Sequence, residues 1–209
     1  MMAFVLSASL ANAKEIRGKV TKQGQGVGGV FVSAHDTENR KATGVFTATD
    51  GTYVIDGLRN KDYRVRARQK GLNDVWIDDV TSGSKKIDIK MTTATGWKLE
   101  RQRPADSAFG MLKFDSSRDK LNFKMYCAYC HQIGTVGFRT PEEPVDWETM
   151  IRRMDGFGAL YPHTKRTIVK RIMDTYKGDA VDQWPKYEPP PAPNGAAAKA
   201  KITWWEMGK

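Results

Sequence analysis

Between residues 15 and 91 apolar and polar residues alternate in short runs cut by glycine-bearing turns, which is the two-residue period of strands. The runs predict strands over 15–20, 29–35, 44–49, 52–58, 62–69, 73–80 and 85–91. Tyr63, Val65 and Ala67 alternate with Arg64, Arg66 and Arg68, and Ile87, Ile89 and Met91 alternate with Lys86, Asp88 and Lys90. One face of each strand therefore suits a core and the other suits water. Asp50-Gly51, set between Phe46-Thr47-Ala48-Thr49 and Thr52-Tyr53-Val54-Ile55, predicts a hairpin, because glycine accepts the positive φ that such a turn needs. Tyr53 and Ile55 then share a face. Strands this short and closely spaced predict a small β-sandwich over 14–92, of the immunoglobulin or transthyretin kind.

Further along, the period lengthens to that of helices. Asp115, Ser116 and Ser117 offer N-caps to a helix over 118–126 in which Leu121 and Met125 stand four residues apart. After Pro144, Asp146 can cap a second helix carrying Trp147, Met150, Ile151 and Met154 as one apolar stripe. Thr164 can cap a third, packed through Ile168, Val169, Ile172, Met173 and Tyr176 and ended by Gly178. The fold class is thus two-domain, β + α. A sandwich over 14–92 and a connector over 93–114 precede a small all-α domain over 115–178. A Pro/Ala-rich linker and a strand occupy 179–209. That strand, Ile202-Thr203-Trp204-Trp205-Glu206-Met207, has no partner beside it in sequence. It either returns to the sandwich or docks on another polypeptide by strand addition.

Composition narrows the function classes. Of 209 residues, 40% are hydrophobic and 28% charged, as in globular chains. No apolar run approaches the roughly 18 residues of a spanning helix. Residues 1–13 read as a secretory signal: Ala3-Phe4-Val5-Leu6 is an apolar run, and Ala11-Asn12-Ala13 is a small-residue cleavage site before Lys14. A periplasmic or otherwise exported protein is expected. Lys and Arg number 34 against 24 Asp and Glu, a net charge of +10 that suits an anionic surface or an acidic protein partner. The Arg64, Arg66 and Arg68 stripe, and Lys165, Arg166, Lys170, Arg171 and Lys177 on the last helix, are candidates for steering such a partner, or else solvated faces.

Both cysteines of the chain fall within Cys127-Ala128-Tyr129-Cys130-His131. Cys-x-x-Cys-His is the attachment sequence for c-type haem. On a helical turn residues i and i+3 point to one side, so two thiols can bond two vinyl groups on one porphyrin edge, with His131 placed to bind iron. A thioredoxin-like pair belongs at a helix N-terminus, whereas this motif ends a predicted helix. A structural zinc site needs four ligands, and no second cysteine pair exists. A Cys127–Cys130 disulfide accounts for neither His131 nor the methionines downstream. Sulfur and imidazole candidates for the sixth iron position are Met154, Met150, His163 and Met173.

Two resemblances follow from these residues. Gly18, Gly26-Val27-Gly28-Gly29-Val30, Asp50-Gly51-Thr52-Tyr53 and Tyr63-Arg64-Val65 resemble the carboxypeptidase regulatory-like domain, which implies a packing or interaction module without catalysis. The Cys127–His131 motif with Trp147, Arg153-Met154, Gly158-Ala159-Leu160 and the final helix resembles a mono-haem cytochrome c domain. That resemblance implies one covalent haem c, His131 as proximal and Met154 as distal ligand. The linker and final strand resemble the linker and opening strand that precede a propeller in streptogramin-lyase-like proteins, to whose cytochrome portion the helical domain is similar. The expected function is single-electron transfer, not catalysis. The expected partner is a redox protein, such as a dehydrogenase or propeller subunit, and not nucleic acid. The alternatives are an interaction module whose haem is structural or sensory, and the haem-bearing part of a propeller enzyme.

Overall fold

A computed structural model of the chain describes residues 14–84, 86–129, 132, 147–158, 165–176 and 183–206. They form two compact units, one from the described residues of Met1–Ala94 and Pro190–Lys209, the other from those of Thr95–Pro189.

The first unit is a β-sandwich. In one sheet, β1 (Lys14–Lys22) lies between β2 (Gln25–Gly26) and β5 (Thr52–Leu58), and β8 (Ile89–Lys90) pairs parallel to the end of β1. The other sheet is antiparallel and five-stranded. It runs β7 (Val75–Thr81), β6 (Asp62–Arg68), β3 (Phe31–Asp36), β4 (Lys41–Phe46), β9 (Lys201–Trp205). The core is what the alternation predicts: Ile16, Val20, Val32, Tyr53, Ile55, Tyr63, Val65, Ala67 and Ile89 are buried between the sheets. Beneath that layer the Tyr53 hydroxyl donates to the carbonyl of Ile87 at 2.7 Å. Gly18 is required at the same spot, since a Cβ there would lie 1.9 Å from the Ile87 oxygen.

Three expectations need correction. Asp50-Gly51 does form a tight turn: Gly51 has φ of 87°, and Asp50 Oδ1 accepts from the Thr52 amide at 2.9 Å. It does not join two strands of one sheet, however, because β4 and β5 lie in different sheets and the turn carries the chain from one to the other. Buried Thr47 secures that crossing; its Oγ1 accepts from the Val30 amide at 2.9 Å and donates to the Val27 carbonyl at 2.6 Å. The strand expected over 85–91 shortens to Ile89–Lys90, although Ile89 and Met91 are buried as the alternation requires. Finally, the sandwich does not end at residue 92. β9 returns to it and pairs antiparallel with β4, Thr43 opposite Thr203, which settles in favour of the same chain where this strand binds.

The second unit begins within the stretch expected to be a connector. Residues Gly96–Glu100 (α1) and Ala105–Phe109 (α2) are helical, and Leu112 is buried. Arg103, also buried, pairs with Glu100 at 2.8 Å and donates to the Pro185 carbonyl at 2.6 Å. The remaining described helices are α3 (Ser117–Cys127), α4 (Trp147–Gly156) and α5 (Lys165–Tyr176), each within a residue or two of its expected range. Phe109, Phe114 and Phe123 form an aromatic cluster with centroids 5.3 to 6.0 Å apart, and α4 packs on α5. No helix among the described residues is long and apolar enough to cross a membrane.

Candidate functional site

α3 carries the first cysteine to the site. Ser116 stands in extended conformation ahead of it and its hydroxyl accepts from the Asp119 amide at 3.0 Å, while Asp119 places negative charge in the first turn, where the helix dipole favours it. Phe123 anchors the helix in the aromatic cluster. Cys127 follows one turn later on the same face as the last helical residue, and the Ala128 amide closes the helix on the Lys124 carbonyl at 3.1 Å. Burial pushes the half-buried Cys127 thiol up to about 11. A helix C-terminus also disfavours a thiolate. Cys130, His131 and His163 lie outside the described residues.

The methionines divide by burial. Met154, in the last turn of α4, is half-buried, and Met150, one turn earlier, is exposed at 37%. The Phe157 amide caps the Met154 carbonyl at 3.1 Å, and the Gly158 amide caps that of Asp155 at 2.8 Å. Gly158, at φ of 79°, then turns the chain away from the helix. Met173 belongs to α5, but its side chain lies outside the described residues.

Several apolar side chains of this unit face solvent. Leu121 and Met125 are each 56% exposed on the side of α3 opposite Phe123, and Tyr129 and Phe157 are exposed at 87% and 75%. A cleft of about 790 Å³ also lies in the unit, lined by Met111, Lys113, Asp115, Lys170, Arg171 and Trp184 among others. Among the described residues, neither Cys127 nor Met154 lines it.

The two basic surfaces are differently disposed from the expectation. Arg171 is not a steering charge: its side chain is 10% exposed, pairs with Asp119 at 2.7 Å and Asp115 at 3.3 Å, and lies 4.9 Å from the Phe114 ring. Lys170 pairs with Asp174 along the exposed side of α5. On the sandwich, Arg64 pairs with Asp78 at 2.6 Å and Arg66 with Asp74. Both guanidiniums lie over the Trp76 ring, at 4.4 and 4.8 Å. His35 sits beside this group, 5.0 Å from Trp76 and 5.5 Å from Trp204, with Nε2 at 2.9 Å from the Ser33 hydroxyl. Burial lowers the His35 pKa, and Arg66 and Arg64 lower it further against the opposing pull of Glu206, so the ring is neutral at pH 7. The aromatic layer of Phe31, Phe46, Trp76 and Trp204 over this face was not anticipated from sequence. Its signal is the small pair Ala42 and Gly44 at outward positions of β4; the Phe31 ring lies over Gly44.

Among the described residues no three His, Cys, Asp or Glu side chains converge as a metal site. No curated protein matches the chain. Residues 15–92 match the family model of the carboxypeptidase regulatory-like domain, so the sandwich from β1 through β8 is a module similar to that family, completed by a ninth strand from beyond the match.

Proposed function

We propose that this chain is a c-type cytochrome, an exported carrier of single electrons whose carboxypeptidase regulatory-like module serves as a packing or docking domain. The observation that carries the reading is Cys127, first residue of the Cys-x-x-Cys-His motif, at the C-terminal end of a regular helix, half-buried and with burial raising its thiol pKa. A disulfide oxidoreductase needs the opposite: a thiolate stabilised at a helix N-terminus. With no second cysteine pair in the sequence and no cluster of oxygen and nitrogen ligands among the described residues, zinc has no support either.

Around Cys127 the described residues offer an apolar setting: Phe109 and Phe114 pack on Phe123, on the side of α3 that also carries Cys127, and past the helix end Tyr129 is exposed. Exposed aromatic surface next to the motif suits an apolar ligand, whereas Leu121 and Met125 lie on the opposite side of the helix. Cys127 and Cys130 would hold haem c through thioether bonds, with His131 as proximal and Met154 as distal iron ligand. When bound, the group supplies a one-electron iron couple. The chain's own part is to set Cys127 at the end of a capped helix, keep water from its half-buried side and present Met154 at the end of α4. A thioether ligand and apolar surroundings favour the ferrous state. An acidic redox protein, a dehydrogenase or propeller subunit among them, is the partner that the net charge of +10 suits.

Production in a host with full haem-attachment machinery tests the proposal. The expected result is an intact mass raised by one haem, a pyridine haemochrome spectrum of the thioether type, and loss of both in a Cys127→Ala, Cys130→Ala chain. A colourless polypeptide of unmodified mass overturns it.

A further inference from the structure

We propose that β9 is a self-pairing edge, through which two copies of this chain associate into one continuous sheet. The sandwich has three sizeable edge strands, and two of them are guarded. β7 carries the consecutive acids Asp78 and Asp79, the latter at φ of 56°, and its pairing with β6 slips register between Tyr63 and Val65. β5 is interrupted by Gly57 at φ of 72°, and Lys201 Nζ donates to the Asp56 carbonyl at 2.9 Å. Bulges, charges and capped carbonyls of this kind prevent edge-to-edge pairing.

β9 has neither a bulge nor a positive-φ residue, and its one charge, Lys201, is taken up by Asp56 of the same chain. It is regular over Lys201–Trp205, contains no proline, and no other strand among the described residues pairs with it beyond β4. Ile202 is 42% and Trp205 62% exposed, so the edge is uncovered and apolar. The Glu206 amide donates to the Arg40 carbonyl at 2.8 Å. By the alternation of an antiparallel ladder, Ile202, Trp204 and Glu206 therefore direct their peptide groups to β4, and Lys201, Thr203 and Trp205 direct theirs outward.

The outward set is complementary to itself. A two-fold axis at Thr203 pairs it with its own copy and places Lys201 opposite Trp205 of the second chain, so every outward amide and carbonyl of the three residues finds a partner. The same register sets Ile202 against Trp204 of the other copy on the outer face, joining the two aromatic layers. Five residues of edge bury less than the roughly 1,200–2,000 Å² of a stable dimer, so the association is weak and reversible.

Sedimentation velocity of the full chain over a wide range of loading concentration tests this. A sedimentation coefficient that rises with concentration is expected. Thr203→Pro removes the outward amide and the Thr203 hydroxyl contact to Thr43 while leaving the backbone bonds of the β4 ladder in place, and Trp205→Lys puts a charge on the edge that faces the second copy. Each should weaken self-association by about tenfold or more while the far-UV spectrum and thermal midpoint stay near the parent's, and Trp205→Lys suffices if the proline variant fails to fold. A chain that is monomeric at every concentration overturns the proposal and leaves the edge to an extended segment of another protein. A dimer that survives Trp205→Lys also overturns it, by placing the interface elsewhere.

Discussion

The hydroxyls of Thr43 and Thr203 meet at 3.1 Å although 160 residues separate them. The contact marks where the polypeptide, after building the helical unit, comes back to close the edge of β4. Loop-closure entropy makes so distant a pairing costly to form, and the aromatic contacts on the outer face offset it. Trp204, half-buried, lies 5.8 Å from Phe31 and 5.5 Å from His35, whereas its neighbour Trp205 is mostly in solvent. Trp204→Ala should therefore destabilise the sandwich by about 2 kcal/mol, and Trp205→Ala by less than about 0.5 kcal/mol. Urea titration checks this: the midpoint should fall for the first variant with little change in slope, and stay for the second.

Asp36 gives the sandwich a defined acid limit. Burial pushes its carboxyl up, but hydrogen bonds from Lys61 Nζ at 2.7 Å, Asn39 Nδ2 at 2.8 Å and the Asn39 amide at 3.1 Å outweigh burial and hold it at about 2, below the ordinary 3.8. A carboxyl whose folded value is depressed contributes its stability above the unfolded value and loses it as pH falls through the folded one. Stability should therefore decline between pH 3.8 and about 2 as this group takes up a proton. Asp36→Asn should cost about 2 kcal/mol at neutral pH and remove this group's share of the acid slope, as measured by urea midpoints across that range. An unchanged slope in the variant contradicts the assignment.

Strand alternation made the sandwich legible because its period is local: Tyr63, Val65 and Ala67 point inward regardless of which strand lies beside them. Sheet membership is not local. Asp50-Gly51 has the chemistry of a hairpin turn, and only the Thr47 bonds to Val27 and Val30 reveal that it spans two sheets. For the same reason 202–207 reads as a strand in isolation while its partner, β4, cannot be read from the residues around it. In the helical unit, caps such as Ser116 fix the helix starts, so α3 begins within a residue of its expected place. The fate of Arg171 was hidden, because helical periodicity puts it on a polar side without showing that Asp115 and Asp119 stand opposite. The cysteine motif is legible in full as spacing, and its chemistry beyond Cys127 rests on residues outside those described.

The state of the Cys127 thiol separates attachment chemistry from redox exchange. In a chain made without haem-attachment machinery, with Cys130→Ser to leave one thiol, burial keeps Cys127 protonated until about pH 11. Since the thiolate is the nucleophile, alkylation by iodoacetamide at pH 7 should run at least tenfold slower than for a free cysteine peptide and accelerate with rising pH. Mass spectrometry of quenched samples follows the rate. Rapid labelling at pH 7 that is flat with pH would place a stabilised thiolate here and favour the oxidoreductase reading.

Met154 and Met150 stand one turn apart on α4, and their burial predicts which sulfur serves the iron. A distal ligand has to be withdrawn from water, because exposure lets solvent compete for the metal and lowers the potential. Met154 is half-buried and ends the helix where Gly158 redirects the chain; Met150 is exposed at 37% on the preceding turn. In the haem-loaded, reduced protein, Met154→Ala should open the sixth position, so that carbon monoxide shifts the Soret band at neutral pH and the midpoint potential falls. Met150→Ala should leave both the spectrum and the potential as in the parent, and cost about 1 kcal/mol of stability, as expected for a partly exposed side chain. If gas binding appears with Met150→Ala and not with Met154→Ala, the ligand assignment reverses. If the parent itself binds carbon monoxide, the iron has an open position and the protein is an enzyme or sensor rather than a carrier.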